Sequence, residues 1–368
     1  KQGPKAELQK PPNKPDAQDI AKPDNAVETD KAPKLDDEKQ APNAEKKPDE
    51  QEPAPRRGTL GSMDPSGPTR MSVTWNSVGA AIERIELNSP SYRSLDDRSG
   101  YLGYLAPIDA PKKTGALVRV VGPGTPAAAA GIERDDVITA VGDGRVRTAA
   151  ELIAALQQTA PRQQIGLTIK RGDAEKQLTV TLAHQPLDLI RAEWETKPAL
   201  IVLPKQHDPL SFLTTIQQYD ERMLANDDQE LGGVNLRNGA WEVVQADDLK
   251  VIFRRVLPRL GLEITKTYRL ATVPNDEHDN PNYPAYGLML DLRIANVGDK
   301  PHKVAYRLDG PTGLPIEGAW FASKVSHTWG GAGLRDVIVQ FNGGKLDQVS
   351  PAHLADPEYK QDWGATSS

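Results

Sequence analysis

The side chains that could do chemistry are few in this 368-residue chain, and their spacing favours no catalytic centre. The absence of cysteine excludes disulfides, thiolate metal sites and cysteine nucleophiles. The six histidines show no metal-ligand spacing, and neither a Gly-x-Ser-x-Gly motif nor a phosphate-binding loop occurs. We therefore expect a protein that is not an enzyme, and the sequence predicts no metal and no other cofactor.

The composition indicates a chain of which only part packs into a core. Hydrophobic residues make up 38% of the chain and aromatic residues 5%. The net charge of −6 provides no basic surface for nucleic acid. No apolar run approaches the roughly 20 residues that cross a bilayer. The length predicts two or three folded units, and we interpret the chain, which starts at Lys1 without a signal-like segment, as a soluble part of something longer.

The N-terminal segment favours disorder. Residues 1–57 contain 10 of the 31 prolines, no aromatic residue, and 12 basic against 13 acidic side chains. Such a segment buries too little apolar surface to offset the entropy of ordering it. We expect a proline- and charge-rich tether over residues 1–68, with order beginning near Thr69. Docking of a partner is the alternative role for this segment.

The rest of the chain outside a central block carries a strand pattern. Residues 71–75 and 79–87 alternate apolar and polar side chains, which predicts a β-hairpin. Further strands are predicted at 249–256, 262–270, 286–297, 303–308 and 336–341, and a helix at about 209–224. Many strands with few helices favour a sandwich.

The central block has a different order of elements. The pattern predicts a strand at 115–121, a one-turn helix at 127–130, a strand at 137–141, a helix from about 149 to 158, and a hairpin of strands at 165–170 and 177–182. Thr125 is placed to cap the first helix, and Thr148 with Glu151 forms a capping box for the second. Gly131 predicts a left-handed end to the first helix.

This order resembles the PDZ domains of bacterial HtrA-type proteases. The matching segments are 115–118, 124–128, 130–132, 136–138 and the turn at 171–172. The resemblance covers about a quarter of the chain and predicts an inserted α+β PDZ domain at residues 98–185.

The resemblance implies a peptide-binding site. In that family a loop with an apolar-Gly-apolar signature holds the terminal carboxylate of a peptide through backbone N–H groups. Residues 98–105 fit this signature around Gly103, and the peptide would add a strand along 103–105, opposite the helix at 149–158. The predicted site consists of Arg98, Tyr101, Leu102, Gly103, Tyr104, Leu105, Leu152, Ile153 and Leu156. The alternative is a PDZ fold that serves as a packing unit, with its groove blocked by the host domain.

The flanking segments resemble the large extracytoplasmic domain of YidC-type membrane protein insertases, in their planctomycete branch. The segments that carry this resemblance are 78–87, 266–270, 290–296, 306–315 and 317–321. It implies a β-supersandwich domain built from residues 69–97 and 186–368, interrupted by the PDZ domain.

The second resemblance also implies a role. We expect a part of an insertase or chaperone that assists the insertion and folding of membrane proteins on the periplasmic side of the bacterial inner membrane. The implied partners are client membrane proteins, Sec translocon components, and peptide C-termini through the PDZ groove, with the membrane reached through helices outside this chain. The alternative is a free-standing periplasmic PDZ adaptor or regulator of a protease.

Overall fold

The structure is a computed structural model that describes residues 52–192, 210–224, 229–278, 280, 283–313, 337–340, 344 and 346–349. The expected tether therefore falls largely outside the described residues, as does the Gly-Pro-rich run beyond residue 313. No helix in the described ranges is both long and apolar enough to span a membrane.

Strands dominate the part of the chain that the structure describes, with 21 β-strands and two α-helices. The strands are β1 (Arg57–Gly61), β2 (Met71–Asn76), β3 (Ala81–Leu87), β4 (Gly100–Tyr101), β5 (Ile108–Asp109), β6 (Ala116–Leu117), β7 (Val137–Val141), β8 (Gly144–Arg145), β9 (Gln164–Arg171), β10 (Ala174–Thr181), β11 (Ala183–His184), β12 (Asp188–Ile190), β13 (Thr214–Tyr219), β14 (Arg222–Met223), β15 (Glu242–Ala246), β16 (Lys250–Leu257), β17 (Leu262–Leu270), β18 (Leu288–Asn296), β19 (Val304–Leu308), β20 (Val337–Gln340) and β21 (Leu346–Val349). The helices are α1 (Pro126–Ala129) and α2 (Ala149–Gln157).

The first sheet has the strand order β1-β2-β3-β12. The predicted hairpin is confirmed, because β2 pairs antiparallel with β3 and Val73 lies opposite Ile85. The expected start of order near Thr69 is wrong, since β1 begins at Arg57 and pairs with β2 along its whole length. Gly58 lies opposite Trp75, and a Cβ on Gly58 would overlap the Trp75 ring. A glycine-containing strand of this kind has weak local propensity, so its long-range pairing decides its conformation.

The second sheet has the order β15-β16-β17-β18, and a smaller third sheet has the order β14-β13-β19. The strands predicted at 249–256, 262–270, 286–297, 303–308 and 336–341 are all found, with shifts of a few residues at their ends. The helix predicted at 209–224 is wrong. Its described part forms β13 and β14, in which the buried, β-branched run from Thr214 to Ile216 pairs with β19, far along the chain.

The first and second sheets share one apolar core. Trp75 of β2 meets Phe253 of β16 edge to face, with 5.5 Å between ring centroids, and Phe253 meets Tyr268 of β17 at 6.1 Å. All three side chains are buried. Aromatic pairs of this geometry add to the stabilisation that burial of their area provides. The architecture is mainly β, as expected, and it is compatible with a β-supersandwich.

Between β3 and β12 the chain forms a second unit with its own core. Strands β4 and β11 pair antiparallel where the chain enters and leaves this unit. The unit contains a sheet of order β10-β9-β7-β6-β5, with β8 on β7, and the helices α1 and α2. Its apolar cluster includes Leu102, Val118, Ile138, Leu152 and Leu167. The predicted order of elements in this block is confirmed, although the strand expected at 115–121 is regular only at Ala116–Leu117.

Both predicted helix caps in this unit form. Thr125 Oγ1 accepts a hydrogen bond from the Ala128 N–H at 3.2 Å, and Thr148 Oγ1 accepts one from the Glu151 N–H at 3.1 Å. The Glu151 carboxylate accepts from the Arg147 N–H and not from the capping residue itself, so the capping box is only half formed.

The outer face of the first sheet is polar and nevertheless buried. Ser72, Thr74 and Asn76 alternate along β2 with the core-facing side chains, and each is less than 5% exposed. A Cβ on Gly122 of the second unit would lie 3.6 Å from Ser72 Oγ. The second unit therefore covers this face, and the first sheet is a middle layer between two packed bodies.

Lys266 of β17 is a buried cation in the core. Its ammonium group donates to the carbonyl oxygens of Gly79 at 3.0 Å and Phe212 at 2.6 Å, and it lies 5.2 Å from the centroid of the Trp241 ring. Burial lowers the pKa of Lys266 to about 7. An unfolded lysine has a pKa of about 10.4, so the folded state binds this proton less tightly than the unfolded state does.

Stability is expected to rise between pH 7 and pH 9 through Lys266. Over this interval the unfolded chain keeps the proton and the folded chain releases it, so the free energy of unfolding increases with pH, by about 2 kcal/mol. Urea unfolding of the wild type and of Lys266→Met at both pH values measures the effect, because any constant cost of the substitution cancels. Lys170→Met, at an exposed lysine, is the control. The same pH dependence in Lys266→Met as in the wild type would contradict the prediction.

Candidate functional site

The Gly103 loop, residues 102–105, follows directly after β4. Gly103 has φ +121°, a conformation that side-chain-bearing residues rarely adopt, and a Cβ there would lie 2.9 Å from Thr125 Cβ. The Ala127 N–H donates to the Leu102 carbonyl oxygen at 2.8 Å, which ties the loop to the first turn of α1. Glycine is therefore required at position 103 by both backbone conformation and space.

The backbone of this loop has hydrogen-bonding capacity left for a ligand. Within the described residues, the N–H of Gly103 has no acceptor, whereas the Leu105 carbonyl oxygen already accepts from the Arg119 N–H at 3.0 Å and the Val120 N–H at 3.2 Å. The loop is thus held to the body of the unit through its carbonyl groups. A free N–H at a glycine is a component of backbone sites that bind carboxylates.

Strand β5 continues from this loop and forms the edge of its sheet. It pairs with β6 on one side, and no strand of the described residues pairs with its other side. An edge strand presents a row of unpaired N–H and C=O groups that an added strand can use. The outer edge of β5 is therefore unpaired within the described residues, and the space between this edge and α2 is here called the groove.

A side-chain contact closes the far end of this groove. Asp109 Oδ1 accepts a hydrogen bond from the Ala149 N–H at 2.9 Å, which links the end of β5 to the first residue of α2. Only Ile108 and Asp109 of this stretch form a regular strand, and Ala106, between the loop and β5, has φ +44°.

The predicted apolar residues divide into buried and exposed sets. Leu102, Leu105 and Leu152 are buried in the apolar cluster of the unit, and Leu156 is half-buried against it. Ile153 of α2 is 48% exposed, so it does not share the buried face with Leu152. Ile108 of β5 is 44% exposed. These two isoleucines offer apolar surface on the two elements that flank the groove.

The two tyrosines of the predicted site contact the β domain. The Tyr101 hydroxyl donates to Glu86 Oε1 at 3.0 Å, and the Tyr104 hydroxyl donates to Glu83 Oε1 at 2.7 Å. Burial, followed by the charge of Glu86, raises the pKa of Tyr101 well above its usual range. Their hydroxyl groups therefore attach the loop to the β domain, whereas the predicted carboxylate site uses the backbone N–H groups of the loop. Arg98 is exposed just before β4.

Glu83 and Glu86, which accept hydrogen bonds from these tyrosines, belong to a buried ion-pair network on β3. Glu83 Oε2 accepts from Arg57 Nε at 2.7 Å and from Asn76 Nδ2 at 2.9 Å. Arg84 lies 3.3 Å from Glu86 Oε1, and its guanidinium group is 4.7 Å from the centroid of the Tyr104 ring. Buried carboxylates need such partners, since an unpaired buried charge is strongly destabilising.

Comparison with known proteins identifies the second unit. Residues 86–182 match the family model described as PDZ domain. This part of the chain is a PDZ domain. The Synechocystis protein named as the serine protease HhoA is 40% identical over 79 residues, which cover 22% of this chain and 20% of that protein. The chain thus spans about a fifth of the length of this relative, and only the PDZ region matches.

Solved structures with a similar region include HtrA-type proteins. The serine endoprotease from Yersinia pestis is 24% identical, covering 24% of this chain and 30% of that chain, with a TM-score of 0.21. The HtrA3 PDZ domain bound to a phage-derived ligand is 20% identical, covering 22% of this chain and 82% of that chain, with a TM-score of 0.20. Because both scores are low, the assignment depends on the family match.

The sequence patterns did not predict some residues at or near the site. Glu83 and Glu86, which hold the loop, lie in a strand of the β domain, and only the unusual presence of charges in a strand beside the insertion signals them. Asp109 and Ile108 belong to a strand of two residues, too short to give a pattern. Among the described residues, no group of three or more His, Cys, Asp and Glu side chains could hold a metal ion.

Tyr104→Phe is expected to lower the free energy of unfolding by about 1–3 kcal/mol, because Glu83 loses a partner in a buried setting. Chemical denaturation measures this change. Tyr306→Phe, at a tyrosine that is 54% exposed, is the matched control and should have little effect. A Tyr104→Phe protein as stable as Tyr306→Phe would show that this contact does not hold the loop.

Proposed function

We propose that the PDZ domain binds the C-terminal residues of partner proteins in the groove between β5 and α2. The observation that carries the proposal is the Gly103 loop, which ends in an open edge strand and keeps its Gly103 N–H without an acceptor among the described residues. The peptide adds a strand to the outer edge of β5, its terminal carboxylate accepts from the Gly103 loop, and Ile108 and Ile153 contact its side chains. The alternative of a blocked groove is less well supported, because no described residue of the β domain pairs with β5.

The match of residues 86–182 to the PDZ family model supports the same chemistry. PDZ domains capture extended peptide ends by main-chain hydrogen bonds, which provide affinity, and by side-chain pockets, which provide specificity. In this chain the main-chain part is the β5 edge, and the apolar contacts come from the half-buried Leu156 and from the exposed Ile108 and Ile153.

Peptides with a free C-terminus are expected to bind, and the same peptides with an amidated C-terminus are expected to bind at least about tenfold more weakly, because the loop N–H groups lose a charged acceptor. Fluorescence anisotropy with a labelled library of apolar-ended peptides measures both affinities. Equal binding of the free and amidated forms would exclude the Gly103 loop as a carboxylate site.

A second variant tests the groove without altering the loop. Ile153→Asp is expected to weaken binding by about tenfold or more, since it places a charge on an apolar wall of the groove. Ile338→Asp, at an isoleucine of β20 that is 64% exposed, is the control. If both variants bind peptide as the wild type does, the peptide lies elsewhere.

We propose further that the chain is the periplasmic part of a YidC-type insertase and assists membrane protein insertion without being an enzyme itself. The support is the sequence resemblance in segments such as 78–87 and 266–270, together with a mainly β host domain that the resemblance implies. Client membrane proteins and Sec translocon components are the proposed partners, and the bacterial inner membrane is the proposed location. The family model matches residues 86–182, which is the PDZ region.

The second candidate is a free-standing periplasmic PDZ adaptor or regulator of a protease. The observation that favours it is the similarity of the PDZ region to that of the protease HhoA. The full gene distinguishes the two candidates. The insertase role requires hydrophobic spans encoded before Lys1 and after Ser368, whereas a signal peptide followed directly by this chain and a stop codon would leave the adaptor role.

A further inference from the structure

A cleft of about 330 Å³ lies where the PDZ domain joins the β domain, away from the groove between β5 and α2. Its walls come from the segment after β3, from the ends of β4 and β11, and from the start of α1. This volume is at the lower end of the range for pockets that bind small molecules. The proposed peptide site does not use this cleft.

The cleft is lined by cationic groups that lack a counter-charge. Arg93, Arg162 and His184 line it, and no aspartate or glutamate does among the described residues. Neither guanidinium forms an ion pair within the described part of the chain. The nearby carboxylate of Glu86 is already engaged by Tyr101 and Arg84. The chain as a whole has a net charge of −6, so this is a local excess of positive charge.

Backbone contacts fix the positions of the three cationic residues. Arg93 forms an isolated antiparallel bridge with Pro186, and His184 pairs with Gly100 across β4 and β11. Arg162 has φ +67°, and its N–H donates to the Leu182 carbonyl oxygen at 2.8 Å. An arginine held in this unfavourable backbone conformation shows that the surrounding structure determines where the residue lies.

The electrostatics of His184 reflect this arrangement. Its own burial first, and then the charges of Arg93 and Arg162, lower the pKa of His184. Both guanidinium groups are thus close enough to act on one imidazole. An anion that neutralises them would remove part of this effect, so its binding would raise the pKa of His184.

Most of the remaining wall of the cleft is apolar or aromatic, and Asn88 and Ser89 are its uncharged polar members. Leu87, Pro90 and Pro126 line it, together with Tyr92 and Tyr101. A simple hydrated ion would gain little binding free energy from apolar walls. An acid with an apolar body would be bound by the cationic and by the apolar part of the cleft, since guanidinium groups pair with carboxylates in two parallel hydrogen bonds and apolar surface favours burial.

We propose that this cleft is a second binding site, specific for a small organic acid that has a carboxylate and a compact apolar body. Arg93 and Arg162 bind the carboxylate, His184 lies beside it, and the proline and tyrosine side chains enclose the apolar part. A ligand at this position contacts residues on both sides of the junction between the two domains.

Benzoate is the probe, with benzamide as its neutral analogue of the same shape. Calorimetric titration of the wild type is expected to show saturable benzoate binding and no benzamide binding. NMR is expected to show that benzoate raises the pKa of His184, whose signal is assigned with His184→Asn. Arg93→Gln/Arg162→Gln is expected to bind benzoate at least about tenfold more weakly. Arg145→Gln/Arg147→Gln, which removes the same charge from exposed positions, is expected to bind as the wild type does.

Three results would overturn the proposal. These are equal binding of benzoate and benzamide, equal binding of benzoate by the wild type and the Arg93/Arg162 variant, and displacement of benzoate by a peptide with a free C-terminus. The last result would place a chain terminus, and not a free acid, in the cleft. The peptide affinity of the groove is measured in the same variants and is expected to remain unchanged, which separates this site from the one proposed above.

Discussion

The burial of Glu83 and Glu86 between two packed bodies is the constraint on which the rest of the structure depends. Each side chain is at most 3% exposed. A buried carboxylate is tolerated only with charged or hydrogen-bonding partners. In the β domain, Arg57 and Asn76 contact Glu83 and Arg84 contacts Glu86. From the PDZ domain, the hydroxyl group of Tyr104 donates to Glu83 and that of Tyr101 donates to Glu86. Satisfying these charges therefore joins the two domains.

At this junction, the side chains and the backbone of the PDZ loop have different roles. The tyrosine side chains attach the loop to the β domain, and the Leu102 side chain packs into the PDZ core. Among the described residues, neither the Gly103 N–H nor the outer edge of β5 has a backbone partner. A preorganised loop loses less conformational entropy on binding than a mobile loop does. The contacts with the β domain thus fix the backbone of this loop.

The same principle operates inside the β domain. The turn before β3 exposes carbonyl groups to the core, and Lys266 satisfies those of Gly79 and Ala80. The Tyr268 hydroxyl also donates to Ala80, at 2.9 Å. Polar groups in the middle of an apolar core fix the register of the elements they connect, because any shift leaves them unpaired. The first and second sheets are joined in this way as well as by their aromatic contacts.

The sequence by itself determined the elements whose signals are local. Alternation predicted the strands around Val73 and Tyr268, and Thr125 and Thr148 predicted the helix caps, because these patterns depend on neighbours within a few residues. The order of elements in the PDZ domain was accessible for the same reason, whereas the special position of Gly103 followed from the resemblance to HtrA-type PDZ domains. Only the tertiary structure decided that Arg57–Gly61 is a strand, since this segment pairs with β2 along its whole length and Gly58 leaves room for the Trp75 ring. It also decided that residues 214–219 pair as a strand instead of forming a helix, and that Tyr101 and Tyr104 are directed towards the β domain. Those outcomes depend on partners distant in the chain, which no local pattern encodes.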